Sequence, residues 1–273
     1  MNLMQIVMDL EGLDNLDRGQ YVKDKLSELG IGYEVQGFRD CETSDPGENI
    51  IVSSGKPFDI GVASHFDKVD GSPGANDNAS AVAVTIDVLR KFNECSLENL
   101  GVRGFFFDKE EDGTKGSFAY VNEIGLGGLK GVYNMEMVGM GKNLALWCEG
   151  DLYEGSLLRS FMWESEIDGI SVVKFPNLRQ FLYNGGDHRR FNNAGMRDAF
   201  CITAVTDSDL AIANELFSGR YGMDEITSKI QQSPLFSCYH QPSDTSDNLN
   251  EDTMQMISRV LYKSINSLDA SSQ

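Results

Sequence analysis

The feature that most restricts the fold is an alternation of short segments rich in isoleucine and valine with longer segments of helical periodicity. Strands are predicted at 48–54, 58–66, 102–107, 129–136, 143–149, 170–175 and 198–205. Helices are predicted at 13–29, 79–92, 116–124, 154–165, 188–195 and from 250 onward. Such alternation is typical of a sheet covered by helices on both faces. We therefore predict one catalytic domain over residues 1–273, a three-layer α/β/α sandwich with a central mixed, mostly parallel sheet.

Charge and composition exclude several classes of partner. The chain has 42 acidic and 23 basic residues, a formal net charge of -19, which repels nucleic acid and anionic membrane surfaces. No apolar run approaches the roughly 18 residues of a membrane span, and the first residues lack the pattern of a signal peptide. The five cysteines are scattered, without metal-ligand spacing. We expect a cytoplasmic protein, or a secreted one if a leader has been removed.

The stretch "GFFFDKEEDGTKGSFAYV" places three consecutive phenylalanines directly before a group of carboxylates, Asp108, Glu110, Glu111 and Asp112. Carboxylates crowded at the end of a buried strand are costly unless a positive charge lies among them. A metal, a substrate cation and water around a turn are the candidates. A calcium loop of the EF-hand kind is disfavoured, because Ala119 takes the place of its bidentate glutamate and a strand precedes it.

The three histidines of the chain, His65, His188 and His240, all stand in polar loops beside carboxylates. Ligands of open α/β sheets collect beyond the carboxyl ends of the strands. The acidic residues that follow the predicted strands are Asp67, Asp77, Glu110, Glu111 and Glu136. Imidazoles with several carboxylates suit zinc, and one shared carboxylate holds two such ions about 3.5–4 Å apart.

Six blocks in this order, "ASHFD", "SPGANDNASAVAV", "FFFDKEEDGTKGS", "YNMEMVG", "GGDHRRFNNAGM" and "YHQPSDTSDNL", resemble the zinc aminopeptidase family M28. This group includes the bacterial leucyl and Streptomyces aminopeptidases. The blocks span residues 63–249, about two-thirds of the chain. The resemblance implies a zinc-dependent exopeptidase, an aminopeptidase acting on peptide substrates.

The resemblance also implies a pair of zinc ions and the residues that bind them. His65, Asp77 and Glu136 match the ligands of one ion, whereas Asp77, Glu111 and His240 match those of the other. Asp77 is then the ligand that bridges the two ions.

Three further residues match positions that act in the reaction of the family. Glu110 matches the general base that takes a proton from the attacking water, and Asp67 matches the carboxylate that orients the imidazole of His65. Tyr183 matches a tyrosine that in some members donates a hydrogen bond to the developing oxyanion. His188 belongs to a matching block but is not a metal ligand in the family.

The chain departs from the family pattern at two places. Glu136 stands where the family usually has aspartate, and Arg189 and Arg190 stand where it has a small residue or proline. We interpret the arginines as surface charges, with positive charge near the pocket as the alternative. Asp108 and Asp112 match no family role and are interpreted as solvated or turn residues.

Other functions on the same framework remain open from the residues. A glutaminyl cyclase, which keeps one zinc, is one alternative, and a carboxypeptidase or dipeptidase on the same metal site is another. A binding or scaffold relative without metals is disfavoured, because every ligand position holds a residue that can bind zinc. The apolar segment Thr206–Cys238 is interpreted as a lid or pocket wall, or as a helix packed on the sheet edge.

Overall fold

The computed structural model describes residues 1–40, 42–147, 155–174, 186–219 and 221–272. Eight strands within these ranges form one sheet with the order β1-β2-β4-β3-β5-β8-β6-β7. The strands are β1 (Glu34–Arg39), β2 (Pro46–Val52), β3 (Asp59–His65), β4 (Gly101–Phe107), β5 (Leu129–Met135), β6 (Asn143–Trp147), β7 (Val172–Lys174) and β8 (Ala199–Val205).

Helices cover both faces of this sheet. They are α1 (Leu3–Leu10), α2 (Asn15–Glu28), α3 (Ala81–Glu94), α4 (Lys115–Glu123), α5 (Ser156–Ile167), α6 (His188–Asn193), α7 (Asp207–Ser218), α8 (Met223–Ile230), α9 (Pro234–Cys238) and α10 (Glu251–Ala270). Helices α1, α2, α3, α5 and α10 pack into the larger core on one face, and α4 and α6 cover the other. Within the described ranges, no helix is both long and apolar enough to cross a membrane.

The centre of the sheet is parallel. Strands β4, β3, β5 and β8 are parallel neighbours, so their carboxyl ends lie at one edge of the sheet. Antiparallel pairs attach β2 to β4, β1 to β2 and β6 to β8. The predicted three-layer sandwich with a mixed, mostly parallel sheet is therefore confirmed.

The three phenylalanines that precede the carboxylates form the end of β4 and are fully buried. Phe105 and Phe107 pack with Tyr120 and Phe191 on the α4 and α6 side, whereas Phe106 joins the core on the opposite face. Each buried aromatic side chain contributes about 1.5–3 kcal/mol to folding. A shift of register by one residue would exchange these two faces, so the packing fixes where the next residues leave the sheet.

The predicted strands and helices outside Thr206–Cys238 are found, with small changes at their ends, although their residues 148–149, 154 and 175 lie outside the described ranges. Four described elements were not predicted: α1, the edge strand β1, a helical turn at Ala75–Ser80 and a short 3₁₀ turn at Ser246–Asn248. Strand β1 lacks clear alternation because most of its side chains are exposed. The segment Thr206–Cys238 folds into α7, α8 and α9.

Helices α7 and α9 pack on the edge of the sheet. Leu210 and Phe236 contact a small cluster with the buried residues Ala145 and Leu235. This packing fits the helix alternative, and the interpretation of the segment as a pocket wall stays a prediction.

Asp269, near the end of α10, fastens this helix to the turn before β4. Its carboxylate accepts the backbone N–H groups of Glu98, Asn99 and Leu100 at 2.7–2.9 Å. We expect Asp269→Ala to lower the free energy of unfolding by about 2–4 kcal/mol, because three buried or half-buried donors lose a charged acceptor. Urea denaturation measures this loss. Asp252→Ala, an exposed change on the same helix, serves as the control, and an equal loss in both variants contradicts the assignment.

Candidate metal centre

The predicted site residues come from strands that end side by side. His65 is the last residue of β3, Glu110 and Glu111 follow β4, and Glu136 follows β5. Strands β4 and β5 flank β3 on its two sides, and His65 is in register with Phe107, the last residue of β4. The parallel register thus brings these residues to one edge of the sheet, as expected from the sequence.

Asp77 lies between two imidazoles. Its Oδ1 is 3.4 Å from His65 Nε2, and its Oδ2 is 3.4 Å from His240 Nε2. On the first side, Glu136 Oε2 is 3.0 Å from His65 Nε2; on the second, Glu111 Oε2 is 2.9 Å from His240 Nε2. The structure therefore brings all five predicted ligands together in two groups that share Asp77.

Several atoms of this cluster are buried without a hydrogen bond within the described structure. They are Asp77 Oδ2, Glu111 Oε1 and His240 Nε2. One ligand atom from each of His65, Asp77 and Glu111 also lies within 4.8 Å of the other two. Buried polar atoms that lack partners are costly, and nitrogen and carboxylate oxygen donors are those that zinc binds. The residues present therefore fit zinc.

Asp67 is buried behind His65. Its Oδ1 is 3.2 Å from His65 Nδ1, the ring nitrogen that faces away from Asp77. Its two carboxylate oxygens also accept the backbone N–H groups of Glu110 and Glu111, each at 3.1 Å. The carbonyl oxygen of Asp67 also lies 3.1 Å from His65 Nδ1. Asp67 thus contacts the imidazole and holds the turn after β4, and the second of these contacts was not foreseen from the sequence.

Two amide side chains hold the carboxylate of Glu136. Asn134 Nδ2 donates to Oε1 at 3.1 Å, and Asn78 Nδ2 donates to Oε2 at 2.8 Å. Asn78 also bonds Met135 O and Met137 N. The longer glutamate side chain is thus fixed by donors on both oxygens, which is how this chain accommodates the departure from aspartate.

Asp244 fixes the backbone around Asp77. Its carboxylate accepts the N–H groups of Asn76 at 2.7 Å and Asp77 at 3.1 Å. Asp244 stands in a motif that the sequence singled out, but its role was missed because its partners lie 168 and 167 residues away.

Glu110 has its Oε2 3.9 Å from His65 Nε2, beside the cluster. Burial, followed by the charges of Glu136 and Asp187, raises the pKa of Glu110 well above its usual value. Asp187 is fully buried, and Ser117 Oγ donates to it at 2.5 Å. Burial and then Glu136 raise the pKa of Asp187 to about 7. Asp187 lies in a quoted motif, but the sequence assigned it no role.

Both site imidazoles favour the protonated form. Burial alone would lower the pKa of His65, but Glu136, Asp67 and Asp77 together raise it well above its usual value. His240 responds in the same way: burial lowers its pKa, but nearby Asp77 and Glu111 raise it to about 9. The cluster therefore attracts cations.

Several other sequence interpretations are settled by contacts in the turn after β4. Arg189 and Arg190 are both half-buried. Arg190 is held by the turn, since its Nε donates to Thr114 Oγ1 at 2.6 Å and its Nη2 donates to Gly113 O at 2.8 Å. Asp108 is half-buried and accepts the N–H of Glu48 at 3.1 Å, whereas Asp112 is exposed. Tyr183 lies outside the described residues.

A family model described as Peptidase family M28 matches residues 49–265 of the chain. Among curated proteins, Aminopeptidase YwaD from Bacillus subtilis is 25% identical over 218 residues, covering 77% of this chain and 42% of the relative. The chain spans about half the length of the curated relatives it matches.

Two solved structures show the same fold. BSAP, a zinc aminopeptidase from Bacillus subtilis, superposes with a TM-score of 0.61 at 22% identity, covering 83% of this chain and 51% of that one. The Porphyromonas gingivalis glutaminyl cyclase superposes with a TM-score of 0.74 at 13% identity, covering 98% of this chain and 97% of that one.

The protons held by this cluster predict how the stability of the metal-free protein depends on pH. The pKa of Glu111 rises from 4.5 to about 7, mainly through burial, and that of His240 from 6.5 to about 9. Between about pH 5 and pH 9 the folded state therefore holds more protons than the unfolded state, so the free energy of unfolding falls as the pH rises. In a chelator, Tm should fall steadily across this range.

Zinc should flatten that pH dependence, because the metal replaces the protons as the positive charge in the cluster. Thermal unfolding with and without zinc at each pH measures the difference. A Tm in chelator that rises between pH 5 and pH 8 contradicts the expected protonation.

Proposed function

This chain belongs to peptidase family M28, and on that premise we propose that it is a zinc-dependent aminopeptidase that hydrolyses the N-terminal residue of peptides. The observation that carries the proposal is the position of Asp77, with one carboxylate oxygen toward His65 and the other toward His240. A carboxylate between two groups of nitrogen and oxygen donors suits a two-metal peptidase.

We propose that two zinc ions bind here, the first to His65, Asp77 and Glu136 and the second to Asp77, Glu111 and His240. The short distances within each group and the buried atoms without hydrogen bonds support this assignment. Bound zinc supplies a Lewis acid that polarises the scissile carbonyl and lowers the pKa of water.

Glu110 is the proposed general base. It lies beside the cluster, and burial raises its pKa well above the usual value, so its ionised carboxylate is a stronger base than that of an exposed glutamate. It takes a proton from the attacking water and passes it to the leaving amine. Asp67 orients His65 for this work, and the resemblance alone supports Tyr183 as a donor to the oxyanion.

The relatives support an aminopeptidase over a carboxypeptidase. Aminopeptidase YwaD and the probable leucine aminopeptidase 2 of Aspergillus fumigatus each match over 77% of this chain.

A glutaminyl cyclase remains the second candidate because of one observation. The chain covers 97% of the Porphyromonas gingivalis cyclase but 51% of the Bacillus subtilis aminopeptidase structure. Five ligand-type side chains favour the peptidase, since one zinc is satisfied by fewer. Aminoacyl-nitroanilides, N-terminally blocked peptides and a glutaminyl peptide, assayed side by side, separate the aminopeptidase, carboxypeptidase and cyclase.

The zinc content of the protein tests the proposed site. We expect two zinc ions per chain by elemental analysis of fully loaded protein, and loss of activity on dialysis against a chelator. Asp77→Ala should lose both ions, because one side chain serves both. A loaded, active protein with a single zinc ion would count against the two-metal site and favour the cyclase.

The adjacent glutamates should separate chemistry from metal binding. Glu110→Gln keeps the shape of the side chain but cannot accept a proton, so kcat should fall by roughly 10²–10⁴-fold while zinc content is retained. Glu111→Gln should instead weaken zinc binding, because a neutral amide is a poor substitute for a carboxylate ligand. Turnover and zinc stoichiometry are measured on both variants. Near-normal turnover in Glu110→Gln would show that Glu110 is not the general base. Loss of zinc in Glu110→Gln would show that Glu110 is the metal ligand and Glu111 the base.

A further inference from the structure

Arg18, in helix α2, is fully buried beneath the candidate metal centre. Its guanidinium donates to the backbone carbonyl oxygens of Phe66 at 2.5 Å, Gly74 at 3.1 Å, Leu10 at 3.2 Å and Pro73 at 3.4 Å. A buried cation is costly unless its donors are satisfied, and here carbonyl groups satisfy them. The backbone segments that accept these hydrogen bonds show what the guanidinium holds in place.

Three of the four acceptors of Arg18 lie at the two ends of a single loop, and the fourth, Leu10, ends α1. Phe66 directly follows His65, whereas Pro73 and Gly74 lead into the turn that carries Asp77. One planar guanidinium therefore joins the segment of one proposed ligand to the segment of another. The N–H donors of a guanidinium lie in one rigid plane. The group can therefore fix the separation of the two segments, whereas a flexible side chain with a single donor group cannot.

Gly74 shows how closely the loop approaches the guanidinium. Its φ is +69°, and a Cβ at this position would lie 3.1 Å from Arg18 Nη1. Asn15, one turn earlier in α2, adds a second attachment: its Nδ2 donates to Lys68 O at 3.2 Å, and its Oδ1 accepts Lys68 N at 3.0 Å. Helix α2 thus holds the loop at both ends and at Lys68, near its start.

Arg18 also supplies positive charge without occupying the oxygens that face the metal centre. Its hydrogen-bond partners in the described part of the chain are all backbone carbonyl oxygens. Burial lowers the pKa of Arg18 to about 10, and the nearby charges of Asp67 and Asp77 oppose this fall. The guanidinium therefore remains charged at neutral pH and offsets part of the repulsion within the acidic cluster.

We infer that Arg18 is a positioning residue of the metal centre, which sets the separation of His65 and Asp77 for zinc. The inference rests on the proposed function. It assigns a part in the site to α2, which precedes the segment matched by the family model, residues 49–265.

Arg18→Lys tests the inference, with Arg103→Lys as the matched control. Arg103, in β4, anchors the opposite end of β3 through Asp59, at 2.7 Å and 3.0 Å. Both variants therefore alter a largely buried arginine that is bonded at one end of β3. A lysine keeps the charge but cannot bridge both ends of the loop. Competition with a chromophoric chelator should show the zinc Kd rising about 10–100-fold in Arg18→Lys. In Arg103→Lys it should stay within about twofold of wild type, although both variants melt earlier.

Amide hydrogen exchange in the metal-free protein gives a second readout, which a general loss of stability would not produce. Exchange in residues 66–77 should be faster in Arg18→Lys than in Arg103→Lys at matched global stability. If Arg18→Lys does not fold, Asn15→Ala at the surface carries the same test, with an expected rise in zinc Kd of about threefold.

The outcomes separate this inference from the proposed function. A wild-type protein that binds no zinc overturns the proposed function, and the exchange comparison then decides the role of Arg18 alone. A folded Arg18→Lys protein with wild-type zinc Kd and wild-type exchange in residues 66–77 overturns the inference and leaves the zinc site standing. If Arg18→Lys cannot be obtained folded, a wild-type zinc Kd together with wild-type exchange in residues 66–77 of Asn15→Ala overturns the inference.

Discussion

Repulsion among buried carboxylates is the constraint on which the rest of this structure depends. Asp77, Glu111 and Glu136 lie at one edge of the sheet with two imidazoles, and Glu110 lies beside them. Groups of like charge at such distances are stable only with cations or protons among them. The raised pKa values of Glu111 and Glu136 express that strain in the absence of a cation. A site of this kind is built to bind metal, and the surrounding protein has to hold it together until metal arrives.

The protein does so largely through backbone groups and neutral amides. Asp67 and Asp244 accept main-chain N–H groups, two asparagines donate to Glu136, and Arg18 donates to main-chain carbonyls. The contacts of Asp67, Asp244 and Arg18 with the main chain fix the positions of the ligand segments, and the two asparagines fix the carboxylate of Glu136 itself. Rigid support of this kind matters because ligand geometry a fraction of an ångström too loose lowers metal affinity.

The fold and the candidate site residues could be predicted from local patterns in the sequence, and the resemblance to family M28 reduced the candidates to the five residues that cluster. Three consecutive phenylalanines predict strand β4, and His65 and Glu136 lie at the ends of apolar runs. The supporting contacts could not be predicted in the same way. The carboxylate of Asp244, for example, accepts a backbone N–H that lies 167 residues away in the sequence. This contact depends on tertiary packing, which no local pattern encodes. The edge strand β1 was missed because exposure on both faces removes its alternation.

The contacts of α1 and of the turn that follows it have a consequence for the order in which the molecule assembles. Leu3 N donates to Glu251 Oε1, and Ser246 N donates to Glu11 Oε2, so these pairings close loops of 248 and 235 residues. Closing such loops is entropically costly and slow compared with forming local structure. A growing chain on the ribosome carries His65, Asp77 and Glu136 long before His240 has been added. The proposed metal centre therefore lacks one of its five ligands until residue 240 has been added, and unfinished polypeptide meets only an incomplete site before then.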